Sequence, residues 1–310
     1  MSLSTKYGYL GPEGTFTERA LRTLPEAAMH ELVPWPSIPA ALDAVRRGDT
    51  QAAMVPLENS VEGAVSATVD GLADGDPLVI VREVCLPITF ALLARPGTKL
   101  HEIKTVTGHS HAQPQVRKWL AAHLPDAEWQ CASSNAGGAR FVRDGHFDAA
   151  VAGEFTGVKY GLQPLVTDIH DVAGATTRFV LASRPERAVP PTGSDKTTLF
   201  VHLVDDRPDA LLELMLALSA FGVNLLRIET RPTGEELGRY YFSIDCEGHI
   251  ADARVGEAVK NLRQICPHVQ FLGSYPRAED GIYANRTPPA TDEQFTEADK
   301  WLARCLGIPL

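Results

Sequence analysis

The stretch Tyr9-Leu-Gly-Pro-Glu-Gly-Thr-Phe-Thr-Glu18 decides the fold prediction, because it has the pattern of a strand, a glycine turn and a helix start. The apolar residues 7–10 predict the strand, and Thr15 precedes Glu18 by the spacing of a helix capping box. A turn that opens on a helix N-terminus offers unpaired N–H groups and the positive end of the helix dipole. The stretch therefore predicts an anion site, and a purely structural turn and cap is the alternative.

Short apolar runs alternate with helical patterns from residue 7 to residue 182. The predicted strands are 52–55, 88–94, 105–107, 149–152 and 179–182, and the predicted helices are 16–24, 39–47, 114–123, 136–142 and 155–160. Alternation of this kind predicts an α/β architecture with mostly parallel sheet. In such a sheet the ligand lies beyond the carboxyl ends of the strands, where loops meet helix N-termini.

A different pattern follows residues 185–195, a proline-rich stretch that we interpret as a linker. Residues 196–276 have the β-α-β-β-α-β order of a ferredoxin-like fold. The predicted strands are 197–204, 224–231, 240–245 and 269–275, and the predicted apolar helix faces are Leu211, Leu214, Met215, Leu218 and Val255, Ala258, Val259, Leu262. Both helices would cover one face of the sheet, which leaves the other free to pair with a second copy.

Composition bounds the class of protein. A chain of 310 residues predicts at least two domains, and 29 basic against 39 acidic residues give a net charge of −10. That balance provides no electrostatic footprint for nucleic acid or for an anionic membrane. The five cysteines are scattered, and neither a signal-peptide core nor a membrane-spanning apolar run can be recognised. We therefore expect a cytoplasmic protein with reduced thiols, no nucleic-acid partner and no membrane partner.

Two further stretches place polar groups at the ends of predicted strands. Residues 55–63 place Glu58, Asn59 and Ser60 at the end of a predicted strand. The Asn59 amide and the Ser60 hydroxyl are neutral hydrogen-bond donors that suit a carboxylate. In residues 175–179, Thr177 stands beside Arg178, whose planar guanidinium can hold a carboxylate through two hydrogen bonds. Each stretch alone favours a structural role, as a helix cap or an exposed strand start.

Two loops between these stretches, residues 108–115 and 133–138, precede predicted helices. His109 and His111 raise the question of a metal site, but no third ligand has matching spacing, so hydrogen bonding at a helix start is favoured. Neither a serine–histidine–aspartate set nor a nucleotide fingerprint can be recognised. The acid–base candidates are then neutral hydroxyls and amides together with Glu58, which suits a reaction that needs little acid–base help.

The order of these motifs along the chain resembles the prephenate dehydratases. The family's opening motif, Tyr-Leu-Gly-Pro-Glu-Gly-Thr-Phe, is found at 9–16, and its Pro-Leu-Glu-Asn-Ser block is found at 56–60 with the later Gly63. Its Tyr-Gly-Leu motif is found at 160–162 and its Thr-Arg-Phe motif at 177–179. The segment from Lys196 is similar to the ACT domain of these enzymes. Its matching residues are 195–198, 208–212, Phe221, Asn224, 228–232, 245–249 and 272–276.

The resemblance implies a two-lobed α/β catalytic domain like the type II periplasmic binding proteins, followed by a ferredoxin-like βαββαβ ACT domain. The implied boundaries are 6–184 for the catalytic domain (lobe 1 about 6–83 plus 165–184, lobe 2 about 84–164), 185–195 for the linker and 196–276 for the ACT domain. The polar tail 277–310 carries a predicted helix at 292–305, with Phe295, Ala298 and Leu302 on one side.

The implied reaction converts prephenate into phenylpyruvate, water and CO2, and it requires no cofactor or metal. By resemblance the catalytic residues are Thr177, Arg178, Asn59, Ser60 and Gln115, and the substrate-binding residues are Thr15, Glu58, Gly63, Ser134, Asn135 and Phe179. Thr177 is the implied donor to the leaving hydroxyl. Because a strong ion pair would stabilise the departing carboxylate in the ground state, neutral donors suit that group better.

The family's ACT domain binds L-phenylalanine at a subunit interface, so the resemblance implies this effector and a homodimer or homotetramer. The implied effector residues are Asp209, Ala210, Leu211, Asn224, Glu229, Thr230, Arg231 and Pro232. The family usually has glycine where this chain has Asp209, which adds bulk and charge beside a carboxylate ligand. Two alternatives remain open: an arogenate dehydratase, and a non-catalytic protein that binds anions or amino acids.

Overall fold

The computed structural model describes residues 5–186, 189–203, 209–234, 239–278 and 291–308. The chain divides into two compact units. Unit 1 contains the residues up to Asp74 together with Val84–Arg184, and unit 2 contains Gly75–Glu83 and the residues from Pro185 onward. In the described ranges no helix is both long and apolar enough to cross a membrane.

Strands and helices alternate in unit 1. The strands are β1 (Lys6–Leu10), β2 (Glu31–Trp35), β3 (Ala52–Asn59), β4 (Gly63–Ala64), β5 (Val79–Pro87), β6 (Ala91–Ala94), β7 (Thr105–His109), β8 (Glu128–Ala132), β9 (Ala149–Ala152), β10 (Gln163–Val166) and β11 (Thr176–Ser183). Strand β5 crosses the division along the chain, because its first residues, up to Glu83, belong to unit 2. The helices are α1 (Phe16–Thr23), α2 (Ile38–Arg47), α3 (Ser66–Ala73), α4 (Gln113–His123), α5 (Asn135–Arg143) and α6 (Glu154–Tyr160). Each helix predicted from the sequence is present with ends shifted by at most one residue.

The strands of unit 1 form two mixed sheets. The first has the order β2-β1-β3-β11-β5 with β4 beside β3, and the second has the order β10-β6-β9-β7-β8. In the first sheet β1 runs parallel to β2 and β3, whereas β11 runs antiparallel to β3. In the second, β7 is parallel to β8 and β9, whereas β6 is antiparallel to β9 and β10. The prediction of an α/β fold is confirmed, but the prediction of mostly parallel sheet is wrong, because returning strands enter both sheets in the opposite sense.

Two predicted lobe boundaries fall inside strands. The boundary at residue 84 lies within β5, which extends to Pro87, and the boundary at residue 165 lies within β10, which pairs with β6 of the second sheet. The predicted strand 88–94 is shorter and begins at Ala91. Sequence patterns missed β2 and β8 because both are edge strands with several solvent-exposed residues, so neither forms a continuous apolar run.

The continuous apolar runs that did predict strands lie at the centres of the sheets. Residues 52–55 of β3 and all of β9 are buried, because helices cover the sheets. Helix α2 has a local signal at each end. Ser37 accepts a hydrogen bond from Ala40 N at its start, and Gly48 adopts φ +82° at its end. These strands and helices place the loops at the carboxyl ends of β1, β3 and β7 around one cleft.

Unit 2 contains β12 (Asp195–His202), α7 (Ala210–Ser219), β13 (Leu225–Pro232), β14 (Tyr240–Glu247), α8 (Ala253–Ile265), β15 (His268–Pro276) and α9 (Asp292–Cys305). The four strands are antiparallel in the order β13-β14-β12-β15. This arrangement confirms the predicted β-α-β-β-α-β order. Val204, the predicted end of the first strand, lies outside the described residues.

The predicted buried face of α7 is only half right. Leu214 and Leu218 are buried, but Leu211 and Met215 are exposed. Because α7 is apolar around most of its circumference, the smaller Ala210 and Ala217 complete the buried side instead. The exposed apolar residues of this helix are Leu211, Leu212, Met215 and Leu216. In α8 the predicted residues Val255, Ala258 and Leu262 are fully buried.

Two contacts organise the ends of unit 2. Lys196 Nζ lies 3.1 Å and 3.0 Å from the two oxygens of the buried Glu83 carboxylate, which ties the segment 75–83 to β12. The tail helix α9 contacts α8, with the Phe295 ring 6.0 Å from the Phe221 ring. Ala298 and Leu302 of its predicted apolar side are exposed. Most of the polar tail before α9 lies outside the described residues.

Candidate functional site

Unit 1 contains a cleft of about 410 Å³ that residues of both sheets line. The first sheet contributes the turn after β1, the end of β3 and the start of β11. The second contributes the loop between β7 and α4 and the loop before α5. Of the residues predicted for the site, the cleft lining includes Thr15, Asn59, Gln115, Ser134, Asn135, Thr177 and Phe179. It does not include Glu58, Ser60, Gly63 or Arg178.

The turn between β1 and α1 is built as the sequence predicts, with one difference. Thr15 Oγ1 accepts a hydrogen bond of 3.3 Å from Glu18 N and so caps α1. Glu18 Oε2, however, accepts from Gly14 N at 2.6 Å, and Gly11 N donates to Trp35 O at 2.8 Å. The glycine N–H groups are therefore used within the protein. The N–H groups available to an anion are those of the first helical turn, at Phe16 and Thr17, which helix geometry leaves without intrahelical acceptors.

Asn59 and Thr177 form the central polar pair of the cleft. Asn59 Oδ1 accepts hydrogen bonds from Val61 N at 2.8 Å and from Glu62 N at 3.0 Å. These two bonds fix the side-chain amide, so that Nδ2 donates to Thr177 Oγ1 at 2.8 Å. Because Thr177 Oγ1 is already an acceptor, its own hydrogen is free to point at a group in the cleft.

Ser60 and Gly63 support this pair from outside the cleft lining. Ser60 N donates to Thr176 O, and Ser60 Oγ accepts from Thr176 N, both at 2.9 Å. These bonds hold the start of β11 beside the end of β3. Gly63 adopts φ +81°, which a residue with a side chain rarely does, and it begins the short strand that folds back on Asn59.

Arg178 points away from the cleft. Thr177 and Phe179 both line the cleft, and neighbouring residues of a strand project to opposite faces. Arg178 Nη1 lies 3.7 Å from Glu58 Oε2, and the arginine side chain is 8% exposed. Arg178 and Glu58 are therefore outside the cleft lining, where the predicted contact of Arg178 with a substrate carboxylate would require the guanidinium to lie.

Gln115 presents a hydrogen-bond acceptor. Its side chain is 5% exposed, and Nε2 donates to His111 O at 2.9 Å. Because exchanging the amide atoms would set two oxygens against each other, this bond fixes the orientation of the amide. Oε1 is buried and has no partner within the described part of the chain. A buried acceptor without a partner costs about 1–3 kcal/mol, which makes this oxygen a candidate acceptor for a donor from a ligand.

The starts of α4 and α5 face the same cleft. Asn135 Oδ1 accepts from His109 N at 2.7 Å, and Ser134 caps α5 by accepting from Gly137 N at 2.9 Å. His109 Nδ1 accepts from His111 N at 3.2 Å, which places the proton of the neutral ring on Nε2. Burial, and secondarily the neighbouring His111, lowers the pKa of His109, so the ring is a neutral donor at neutral pH.

The charge of the cleft lining differs from the sequence expectation. Among the described residues that line it there is no lysine or arginine, and Glu62 is the single carboxylate. The positive character comes instead from the N-terminal ends of α1, α4 and α5. No three His, Cys, Asp or Glu side chains cluster as metal ligands in the part of the chain described.

Aromatic residues form the apolar wall. The Phe16 and Phe90 rings are perpendicular, with centroids 6.1 Å apart, and Phe179 lies in the same lining. Sequence reasoning named Phe179 but missed Phe90, Glu62 and His109 as cleft residues. Phe90 follows an unremarkable apolar run, and no local signal marks it. His109 lies in the loop 108–115 with Gln115, and Glu62 lies in the stretch 55–63 with Asn59. Their closeness in sequence to these predicted site residues is the signal that could have identified them.

The predicted effector residues are spread over two elements of unit 2. Asp209 is exposed and immediately precedes α7, and Ala210 and Leu211 are the first residues of that helix. Asn224 O accepts from Glu247 N just before β13. In β13, Glu229 and Arg231 are half-buried on one face, whereas Thr230 and Pro232 are exposed on the other. The four residues of this motif therefore do not share a face.

Comparison with known proteins gives a consistent result. The family model described as prephenate dehydratase matches residues 7–187. The chain is 48% identical over 300 residues to a prephenate dehydratase of Amycolatopsis methanolica, covering 96% of this chain and 97% of that protein. It is 43% identical over 307 residues to that of Mycobacterium tuberculosis, covering 96% and 93%. The crystal structure of prephenate dehydratase from Arthrobacter aurescens in complex with L-Phe is 45% identical, with a TM-score of 0.88, covering 98% of this chain and 100% of that one.

Proposed function

The chain belongs to the prephenate dehydratase family, and we propose that the cleft of unit 1 is where it acts on its substrate. The protein is a lyase that converts prephenate into phenylpyruvate, water and CO2. Prephenate carries two carboxylates and a ring hydroxyl, and loss of CO2 and hydroxide makes the ring aromatic. The site must therefore hold two anions, exclude water and help the hydroxyl leave.

The hydrogen bond from Asn59 to Thr177 carries the proposal. Since Asn59 Nδ2 donates to Thr177 Oγ1, the threonine hydrogen is directed toward another acceptor. We assign that acceptor as the leaving oxygen of prephenate. A threonine hydroxyl is a very weak acid, so it stabilises the departing oxygen by a hydrogen bond, and the proton transfers as the C–O bond breaks.

Gln115 supplies the complementary group. Its amide, fixed by the bond to His111 O, leaves a buried oxygen as an acceptor without a partner in the described part of the chain. An acceptor of this kind suits the hydroxyl hydrogen of the substrate and does not suit a carboxylate. We therefore assign Gln115 to orienting the leaving group, so that the hydroxyl oxygen turns its lone pairs toward Thr177.

The carboxylates are bound by neutral donors. The first-turn N–H groups of α1, the side chain of Asn135 and the Nε2–H of His109 are available for them. An arginine would stabilise the departing carboxylate in the ground state more than in the transition state, in which its charge disperses. The lining without lysine or arginine, among the described residues, supports this assignment. The aromatic wall of Phe16 and Phe90 would pack against the ring.

The test is turnover of prephenate, followed by the absorbance of phenylpyruvate. Thr177→Ala should lower kcat by about 10²–10³ and change KM little, because the hydrogen bond forms fully only as the hydroxyl leaves. Thr177→Ser, which keeps the hydroxyl, is the matched control and should retain kcat within about tenfold. Near-normal turnover of Thr177→Ala would contradict the assignment. An inactive wild-type chain with prephenate would favour the arogenate or the non-catalytic alternative.

We further propose that unit 2 is an ACT domain that regulates the lobes of unit 1, which we compare with those of type II periplasmic binding proteins. Its β-α-β-β-α-β order and the L-Phe bound by the Arthrobacter aurescens relative support an effector site for L-phenylalanine. The residues assigned to it are Asp209, Ala210, Leu211, Asn224, Glu229, Thr230, Arg231 and Pro232. Turnover titrated with L-phenylalanine, compared between the wild type and Asp209→Gly, tests whether this aspartate weakens the response; equal titrations would contradict a role for Asp209.

The exposed apolar side of α7 supports the predicted homodimer or homotetramer. Leu211, Leu212, Met215 and Leu216 lie together on it, and an apolar surface of this kind is typical of subunit contacts. We place the protein in the cytoplasm and assign residues 6–184 to catalysis and 196–276 to regulation. Light scattering of the wild type and of Leu212→Glu measures the assembly; an unchanged mass for the variant would contradict the contact.

A further inference from the structure

The Tyr-Gly-Leu motif at residues 160–162 ends α6 and has no role in the chemistry described above. Leu162 is buried in an apolar cluster of the second sheet that includes Leu93 and Val142, and the Tyr160 ring packs against that cluster. Gly161 adopts φ +69° and lets the chain turn back, so that Leu162 N donates to Gly157 O at 2.9 Å. The motif therefore fixes the end of α6 firmly to the second sheet.

Helix α6 also contacts the turn between β1 and α1, which belongs to the first sheet. Tyr160 Oη donates to Glu13 O at 2.6 Å, and Thr156 Oγ1 donates to Gly14 O at 2.8 Å. The Lys159 ammonium forms an ion pair with the Glu13 carboxylate. Side chains of one helix therefore hold two consecutive carbonyl groups of a turn that lies about 140 residues earlier in the chain.

The turn itself leaves little freedom at these positions. Gly14 has φ +84°, and a Cβ atom there would lie 3.2 Å from the Tyr160 ring. Its N–H donates to Glu18 and its carbonyl accepts from Thr156, so both peptide groups around Gly14 are held. The next residue, Thr15, lines the cleft and caps α1. The position of α6 thus sets where the N-terminal end of α1 lies relative to the second sheet.

We propose that Thr156 and Tyr160 are positioning residues, which hold the start of α1 at the separation from the start of α5 that a bound dianion needs. The inference rests on the proposed function, because it assumes that prephenate contacts both sheets at once. Neither hydroxyl is assigned a contact with the reacting atoms. Their effect is on the distance between two groups of neutral donors, and small misplacements of such groups are costly in catalysis.

A matched pair of variants separates this role from simple stabilisation. Thr156 of α6 and Thr107 of β7 are both buried, and the hydroxyl of each donates to a backbone carbonyl at 2.8 Å. The acceptor of Thr107 is Gln130 in the neighbouring strand, whereas that of Thr156 is Gly14 across the cleft. Thr156→Val and Thr107→Val should lower Tm by similar amounts. Only Thr156→Val should lower kcat/KM for prephenate, by about tenfold and mainly through KM.

Tyr160→Phe provides the second measurement, since it removes one exposed hydroxyl bond and keeps the ring. It should lower kcat/KM several-fold with a nearly unchanged Tm, and Thr156→Ser should restore the activity that Thr156→Val loses. Combined with Thr15→Ala, Tyr160→Phe should give less than the sum of the single effects, because both act through the same turn. If Thr156→Val and Tyr160→Phe both match Thr107→Val in kcat/KM, the positioning role is overturned. A wild-type chain inactive toward prephenate would instead overturn the proposed function and this inference with it.

Discussion

Asn59 donates a hydrogen bond of 2.8 Å from its Nδ2 to Thr177 Oγ1, although 118 positions separate the two residues along the chain. The pairing of β3 with β11 brings them directly opposite each other. Asn59 thereby determines the direction of the Thr177 hydroxyl hydrogen. Under the role proposed for Thr177, the reactivity of the site depends on which atom of the asparagine amide faces the threonine.

Asn59→Asp tests this dependence, because it replaces the donor with a second acceptor. The aspartate can still accept from Val61 N and Glu62 N, but its other oxygen would take the Thr177 hydrogen that the substrate needs. We expect kcat to fall at least as far as in Thr177→Ala, about 10²-fold or more, while the fold is retained. Steady-state kinetics and circular dichroism measure the two effects. An Asn59→Asp enzyme more active than Thr177→Ala would contradict the proposal that Asn59 directs the Thr177 hydrogen toward the substrate.

Arg178→Lys should reduce stability more than substrate binding. The side chain faces Glu58 on the side of the strand opposite to Thr177, so it is not available to a carboxylate in the cleft. A lysine cannot reproduce the planar guanidinium in this nearly buried position, and we expect a loss of about 1–3 kcal/mol in the free energy of unfolding. Denaturant unfolding and KM for prephenate are the measurements. A large rise in KM without loss of stability would indicate that Arg178 binds the substrate.

Gln115→Met should separate stability from activity. The substitution removes a buried oxygen without a partner and fills a similar volume, at the cost of the bond to His111 O. We expect Tm to be unchanged or slightly raised, whereas kcat/KM falls by at least about tenfold. If Gln115→Met lost stability and activity in proportion, Gln115 would be a structural residue.

Acidification should act through His109. Its pKa lies below the ordinary value of about 6.5, chiefly through burial, so folding favours the neutral ring. The corresponding stability is present above about pH 6.5 and is lost as the pH falls, because protonation sets Nδ1–H against His111 N–H. His109→Asn keeps an acceptor for His111 N at every pH. Thermal melts between about pH 5 and pH 8 should therefore show a weaker acid-side decline for the variant than for the wild type; parallel curves would exclude His109 as the cause.

The sequence predicted the helices of unit 1 more accurately than its site geometry. Local signals, such as the Thr15 cap and the apolar faces, determine where α1 and α5 begin, so their positions could be read from neighbouring residues. The cleft lining includes Thr177 but not Arg178, as strand alternation predicts, because neighbouring residues of a strand project to opposite faces.

Other features depend on contacts that no local pattern contains. The bond to His111 O determines which atom of the Gln115 amide is left as an acceptor. The packing of Leu214 and Leu218 in the core of unit 2 determines which side of α7 is buried. The edge strands β2 and β8 are defined by their partners β1 and β7, since each contains solvent-exposed residues that interrupt an apolar run. In each case the deciding partner lies elsewhere in the fold.

The anion site that we propose has no lysine or arginine among the described residues of the cleft lining, which has a consequence for the solution in which the enzyme works. Dissolved ions weaken attraction between exposed charges strongly and hydrogen bonds from enclosed N–H groups much less. KM for prephenate should therefore change little as the ionic strength rises from dilute buffer to molar potassium chloride. An enzyme of this design keeps its affinity in concentrated salt, where one that relies on exposed arginines would lose it.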